Sequence, residues 1–257
     1  GVLNADFEIL KGFLGVVRLS ETDLDSALEN DERIYRTSCI VERIAQLSEN
    51  NIEASWTGNR KIAMTSSSLG RGGSERQVVA CLDGISTDES WDEVRLYCNK
   101  IDRTGGRDAT YQEEVQNLGV AVKEIRAGGD SLDMDLGEFG ELVSLLPEKM
   151  KRTVVPLYHE IRDYGPSILH SWQDGMNIDS AIAGMMAGVP NIILFARSMR
   201  PDMKTILHYR GKDYLRNSYI SILNKKRVIL AHNSQAGALS YSVWLGIGEE
   251  EILVIHN

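Results

Sequence analysis

Short apolar runs alternate with longer amphipathic stretches from Lys61 to the end of the chain, and this alternation constrains the fold more than any other feature. Runs of this length rich in valine, isoleucine and leucine predict buried β-strands. The predicted strands are Ile62–Thr65, Val94–Cys98, Val120–Ile125, Ser167–His170, Asn191–Phe195, Arg227–Ala231 and Ile252–Ile255. Because a helix-length stretch lies between successive strands, each strand can return parallel to the one before it.

The stretches between the strands carry apolar residues at helical spacing and predict helices. The predicted helices are Ser74–Ile85, Thr110–Leu118, Leu136–Leu146, Met150–Tyr164, Ser180–Ala187 and Ala236–Leu245, and the glycine- and aspartate-containing region 127–137 predicts a loop. Strands and helices in alternation indicate βαβ units. We therefore predict an α/β fold with a Rossmann-like, doubly wound parallel sheet that helices cover on both faces.

Residues 1–57 have a different pattern. Their apolar residues recur at roughly helical spacing among many charged ones: Leu24, Leu28, Ile34, Ile40, Ile44 and Leu47. This spacing predicts at least two amphipathic helices, and the polar stretch that follows them resembles a connector. We expect a helical N-terminal segment over 1–57 and a Rossmann-like domain over 58–257.

The composition excludes several classes of protein. A formal net charge of −9 does not suit a nucleic-acid-binding surface, which needs a basic footprint. Three cysteines without a CxxC spacing predict neither a disulfide framework nor a zinc site, and we expect no metal and no cofactor. No apolar run approaches the roughly 20 residues of a membrane-spanning helix. The one dense basic cluster, Lys225-Lys226-Arg227, is typical of a solvated helix end.

A glycine-rich loop follows the first predicted strand. The strand runs into Gly70-Arg71-Gly72-Gly73, and a helix begins near Ser74, which can cap it. Glycines let the backbone turn tightly and approach a ligand, and a helix start offers free amides to a phosphate. A dinucleotide fingerprint would need glycine where Glu75 stands, and a Walker A loop would need a GK pair, which is absent. A glycine-rich turn without a ligand remains the alternative.

A second group of polar residues follows the fourth and fifth predicted strands. His170 lies at the carboxyl end of its strand, where open α/β sheets bind ligands, and Trp172 and Asp174 follow in a turn. A helix of small residues then leads, through Pro190, to the next strand, which ends near Arg197. An arginine there can bind phosphate in a bidentate manner. Packing, turn capping and surface ion pairing are the structural alternatives for these side chains.

The loop Gly72-Gly73-Ser74-Glu75-Arg76-Gln77 resembles the GGxER signature of retaining glycosyltransferases of family 4, which have the two-domain GT-B fold. The segments around 167–201 and 228–257 resemble the same family, and the likeness covers roughly residues 58–257. The chain stops at Asn257, where the family crosses into its second, donor-binding domain. The resemblance therefore implies the N-terminal half of such an enzyme, and we expect an isolated half to turn over little substrate.

Carried over residue by residue, the resemblance implies a set of site residues. His170 would contact the transferred sugar or position the acceptor, while Gly72, Gly73, Arg197, Trp172, Asp174 and Ser234 would bind substrate. Glu75 and the two residues after it receive no chemical role. The implied partners are a nucleotide-sugar donor, held mainly by the second domain, and a glycan or lipid-linked acceptor. The implied location is the cytoplasm, with the inner face of the membrane as the place where a lipid-linked acceptor is met.

Two other functions are compatible with the same pattern. A non-catalytic α/β binding module is one, although a phosphorylation receiver would need acidic residues where Thr65-Ser66-Ser67-Ser68 stands. A sugar-nucleotide epimerase with the GT-B fold is the other, and it would use no acceptor. The GGxER-like loop favours the transferase.

Overall fold

The computed structural model describes residues 21–101, 109–125, 135–203 and 214–256. The strands are β1 (Lys61–Ser66), β2 (Glu93–Cys98), β3 (Ala121–Glu124), β4 (Ile168–Trp172), β5 (Asn191–Ala196), β6 (Val228–His232) and β7 (Ile252–Val254). The helices are α1 (Glu21–Leu47), α2 (Gly73–Ser86), α3 (Gln112–Asn117), α4 (Gly140–Ser144), α5 (Glu148–Tyr164), α6 (Asp174–Ala187), α7 (Tyr214–Leu223) and α8 (Gln235–Leu245). Short 3-10 turns occupy Ser48–Asn50, Ala54–Trp56, Gly137–Phe139, Pro201–Met203 and Glu249–Glu251.

All seven strands form one parallel sheet in the order β3-β2-β1-β4-β5-β6-β7. The order reverses between β1 and β4, so chain connections leave the middle of the sheet in both directions. One core packs α5, α6, α7 and α8 against one face, and a second core packs α2 and α3 against the other. The predicted Rossmann-like, doubly wound α/β fold is confirmed.

Helix α6 begins earlier than its sequence indicates. Gln173-Asp174-Gly175 reads as a turn, but the helix already starts at Asp174, and only Gln173 makes the turn. Every residue from Met176 to Ala187 is buried. Small side chains make this possible: a Cβ on Gly184 would lie 2.6 Å from the side chain of Leu169 on β4. This short distance agrees with the prediction that the small-residue helix packs closely on the sheet.

The N-terminal region differs from its prediction in two ways. One helix, Glu21–Leu47, contains all the apolar residues on which two helices were predicted, while residues 1–20 lie outside the described residues. The compact unit that holds the sheet spans Thr37–Asn257, so it begins before the expected boundary at 57/58. The reason is packing, since Ile40, Val41 and Ile44 belong to its core. The loop predicted at 127–137 falls largely on residues 126–134, outside the described part of the chain.

Arg227 is buried, which corrects the expectation of a solvated basic cluster at 225–227. Its guanidinium donates hydrogen bonds to four backbone carbonyls: Ser48 (2.6 Å), Asn51 (3.1 Å), Met185 (3.2 Å) and Val189 (3.4 Å). Burial lowers the pKa of Arg227 to about 10, which still leaves the group charged at neutral pH. Arg227 thereby joins the turn after α1, the end of α6 and the start of β6.

In the described part of the chain, no helix is both long and apolar enough to cross a membrane.

Candidate functional site

A cavity of about 510 Å³ opens at the carboxyl edge of the sheet. This is the edge at which open α/β sheets bind ligands. Its described lining residues come from the loops after β1, β2, β4 and β5 and from the ends of four helices: Ser67, Ser74, Asn99, Lys149, Met150, Gln173, Asp174, Gly175, Met176, Asp179, Arg197, Ser198, Tyr214 and Leu215. Most of these side chains are polar, and both signs of charge are represented.

The glycine loop brings the start of α2 to the cavity. Gly72 is the N-cap residue and has an extended backbone (φ −146°, ψ 162°) with no side-chain capping bond, so the expected cap by Ser74 is not formed. Ser74 instead lines the cavity. Neither Gly72 nor Gly73 has a positive φ, so the tight-turn explanation for these glycines does not hold. A Cβ added at Gly73 would meet no atom within 4 Å, so there is open space beside the first turn of the helix, where backbone amides lack helical partners.

Glu75 has a structural role that its sequence position did not reveal. Its carboxylate folds back over Gly72, where a Cβ would overlap it, and so the glycine at 72 makes room for this side chain. The same carboxylate accepts hydrogen bonds from Gln173 Nε2 (2.9 Å) and Ser68 Oγ (3.5 Å). Glu75 therefore ties the glycine loop to the turn after β4.

Gln173 is the one non-glycine residue with a positive φ in the described ranges (φ 75°, ψ 139°). This region is sparsely populated by residues with a side chain and costs about 1–3 kcal/mol. The surrounding bonds impose it: the Gln173 amide donates to Phe195 O (3.2 Å), and its carbonyl accepts from the Asn177 amide (2.7 Å). Backbone strain of this kind is concentrated at functional sites, and here it lies on the cavity wall.

Arg197 lies beside the start of α2 on the cavity wall. Its guanidinium carbon stands 5.6 Å from the ring centre of Trp172 and 5.9 Å from that of Phe195. Burial, and secondarily the positive charge of Arg76, lower the pKa of Arg197. Arg197 and Arg76, which repel each other next to the N-terminus of α2, form a local positive region that the carboxylate of Glu75 offsets in part. A bound anion would relieve that repulsion.

Asp174 also lines the cavity, but its carboxylate is hydrogen-bonded to side chains in the protein interior. Its Oδ1 accepts hydrogen bonds from the hydroxyls of Tyr219 (3.2 Å) and Tyr241. Tyr219 is further bonded to Asn177 (3.0 Å). This network fixes the start of α6 to α7 and α8, so structural anchoring accounts for Asp174 without a ligand.

His170 and Trp172 do not line the cavity among the described residues. They lie on the sheet face that carries α2, where the His170 ring centre is 5.0 Å from that of Trp172 and 5.8 Å from that of Phe195. Burial lowers the pKa of His170 to about 4, so the imidazole is neutral at pH 7. Its Nε2 is buried and has no hydrogen-bond partner within the described ranges. The predicted catalytic histidine is thus separated from the cavity lining, and the aromatic cluster explains its position.

Ser234 likewise has a structural position. Its hydroxyl caps α8 by accepting from the Gly237 amide (3.2 Å), and it is not among the described residues that line the cavity. Next to it, His232 Nδ1 accepts from the Ser234 amide (3.2 Å), which leaves Nε2 to donate to Ser198 O (3.1 Å). His232 is therefore the neutral Nε2–H tautomer, and it fixes the loop that carries Arg197 and Ser198.

The substitution Gly237→Ala should destabilise the protein by about 2–3 kcal/mol, since a new Cβ would overlap a ring that two hydrogen bonds hold in place. Urea unfolding measures this. Gly175→Ala is the control, because Gly175 also lies in the first turn of a helix but has open space around it. A Gly237→Ala variant as stable as Gly175→Ala would contradict the tight packing of His232.

Three of the predicted features meet at the cavity: Arg197, Asp174, and the start of α2 beside Gly72 and Gly73. His170, Trp172 and Ser234 are not among the described residues that line it. Three further lining residues, Asn99, Lys149 and Asp179, were not predicted. Asn99 follows directly after a predicted strand, which was the one available signal. No group of three or more potential metal ligands occurs within the described part of the chain.

Comparisons with known proteins assign no family to this site. No protein-family model matches the chain, and no curated protein was found to be related to it.

Proposed function

We propose that the chain is the acceptor-side half of a nucleotide-sugar-dependent glycosyltransferase with a GT-B fold. The observation that carries this is the positive region at the cavity, where the open start of α2 at Gly73 and Ser74 lies beside Arg197 and Arg76. Helix amides and a guanidinium together suit a phosphate or diphosphate. The Rossmann-like fold and the GGxER-like loop support the same assignment.

In this proposal the positive region stabilises charge on the leaving diphosphate as the glycosidic bond breaks. His170 is neutral at pH 7, and any part it has in the reaction is hydrogen bonding, not protonation. Asp174 is held by two tyrosines and is not a nucleophile. The partners we propose are a nucleotide-sugar donor, held chiefly by a second domain of the same enzyme, and a glycan or lipid-linked acceptor at the cytoplasmic side of a membrane.

The direct test is to measure anion binding by the chain itself in an NMR titration. The ligands are inorganic pyrophosphate, uridine diphosphate and guanosine diphosphate at millimolar concentrations. Arg197→Ala should weaken pyrophosphate binding about 10- to 100-fold, the usual cost of one charge-assisted hydrogen-bonding group. Arg71→Ala is the control, because Arg71 is an exposed arginine of the same loop and does not line the cavity. Equal losses in both variants, or no binding to the wild-type chain, would contradict the anion site.

The substitution Gly73→Val should reduce pyrophosphate binding at least tenfold while the fold stays intact. A Cβ at position 73 enters open space, and we expect the larger valine side chain to obstruct the first helix amides. Gly84→Val is the matched control, because Gly84 lies in open space farther along the same helix. Neither variant should change the free energy of unfolding by more than about 1 kcal/mol. Unchanged binding by Gly73→Val would remove the glycine loop from the site.

A further inference from the structure

Asp179 lies in the cavity wall with its carboxyl group buried. It is on α6, is 9% exposed, and lines the cavity. Its Oδ1 has no hydrogen-bond partner among the residues that the structure describes. An unsatisfied buried carboxyl oxygen costs about 1–3 kcal/mol or more, and natural cores rarely keep one. Asp179 is itself one of the residues that line the cavity, so a ligand in the cavity is the candidate partner of its carboxyl group.

The neighbours of Asp179 form a polar surface from three other elements. Thr153 of α5 lies beside the carboxyl group and donates a hydrogen bond to Asn99 Oδ1 (3.2 Å) in the loop after β2. Lys149 of α5 and Tyr214 of α7 line the same cavity. We call Asp179, Asn99, Lys149 and Tyr214 the polar floor.

The charge state of Asp179 indicates what the polar floor can bind. Burial raises the pKa of Asp179 to about 8, and Lys149 and Thr153 oppose this only in part. The group is therefore largely protonated at pH 7. A neutral carboxyl both donates and accepts a hydrogen bond, as an alcohol does, so the matching partner is a hydroxyl group. A cation would need the ionised form.

We propose that Asp179 is a specificity-determining residue whose carboxyl group hydrogen-bonds a sugar hydroxyl that enters the cavity at the polar floor. The assignment rests on the proposed function in one respect, namely that the ligand's phosphate lies at Arg197 in the same cavity. The cavity then has an anionic end for a phosphate and a hydroxyl-binding end for the ring. The sites differ in residues, so they can be tested separately.

The experiment compares three kinds of probe on the same chain by NMR titration. They are inorganic phosphate, a panel of hexose 1-phosphates with glucose, galactose and mannose configurations, and the methyl glycosides of the same sugars. The variant is Asp179→Leu, which removes the hydrogen-bonding group. At least one hexose 1-phosphate should bind the wild type about tenfold to a hundredfold more tightly than phosphate does, and Asp179→Leu should abolish that difference. Its affinity for inorganic phosphate should not change.

The outcomes separate the two assignments. If phosphate does not bind but the methyl glycosides bind in an Asp179-dependent manner, the anion site fails and the hydroxyl site stands. If the gain from the sugar survives in Asp179→Leu, or no sugar of the panel improves on phosphate, the role of Asp179 is overturned. Asp179→Leu should fold at least as well as the wild type, since it removes an unsatisfied buried group.

A second measurement does not depend on any variant. The ¹³C signal of the Asp179 carboxyl carbon in the wild-type chain should shift on addition of the preferred hexose 1-phosphate and remain in place with inorganic phosphate. A signal that stays unmoved by a bound hexose 1-phosphate would also overturn the assignment.

Discussion

Replacing Arg227 with methionine is expected to destabilise the compact unit by about 3–5 kcal/mol, the usual effect of removing one side of a buried charged network. Methionine fills much of the same space but donates no hydrogen bond. Four backbone carbonyls then lose a charged donor, and they lie where water has little access. Guanidinium denaturation followed by circular dichroism measures the change in the free energy of unfolding.

The neighbouring residue provides the control. Lys226 is exposed, so Lys226→Met should change the free energy of unfolding by no more than about 0.5 kcal/mol. Arg227→Lys should fall between the two, because a single ammonium cannot reach carbonyls on both sides of a planar guanidinium. If Arg227→Met and Lys226→Met are equally stable, the carbonyl network contributes nothing measurable.

The second large effect is expected in the pH dependence of stability, through Asp179. Its pKa is 3.8 in the ordinary, unfolded environment and about 8 in the folded chain. Between these values the folded state binds a proton that the unfolded state has released, so stability falls as pH rises. The slope approaches about 1.4 kcal/mol per pH unit. The decline begins near pH 4 and ends near pH 8.

Asp179→Asn should remove this decline, because an amide does not titrate. The quantity to measure is the difference in unfolding free energy between Asp179→Asn and the wild type, which should be small at pH 4 and increasingly favour the variant toward pH 8. Lys149 and Tyr214 face the same group in both proteins, so their contributions cancel in this difference to first order. Asp163→Asn, on the exposed face of α5, is the control and should follow the wild-type profile. A constant difference across the range would contradict the buried proton.

The sheet could be predicted from sequence because each strand is a local signal. All seven predicted strands occur, and their ends differ from the prediction by two residues at most; β4, for example, extends to Trp172 beyond the expected end at His170. Buried parallel strands need continuous apolar runs, and this chain provides them between polar loops. The start of α6 was predicted too late, because aspartate and glycine are common in turns and Asp174 and Gly175 were assigned to one. In the structure Gln173 alone makes the turn, with a strained backbone.

The candidate site could be predicted only in part, for a physical reason. Arg197 and the start of α2 follow strands, and parallel topology brings the carboxyl ends of strands together. Asp179 and Lys149 come from helices, and their meeting depends on how α5 packs on α6, which no local pattern encodes. Arg227 shows the same limit, since its four carbonyl partners come from segments that only the folded chain brings together.

The partners of Arg227 also have a consequence for how the chain is made. Its bonds to Ser48 and Asn51 join residues separated by 179 and 176 positions. A ribosome therefore completes β1 to β5 before it synthesises the residue that binds the turn at the end of α1. Strands β1 and β2 can pair early, whereas the turn after α1 keeps its carbonyls in water until Arg227 has left the exit tunnel. If the nascent chain were released before that point, the turn would lack its hydrogen bonds from Arg227, even if the first strands had already paired.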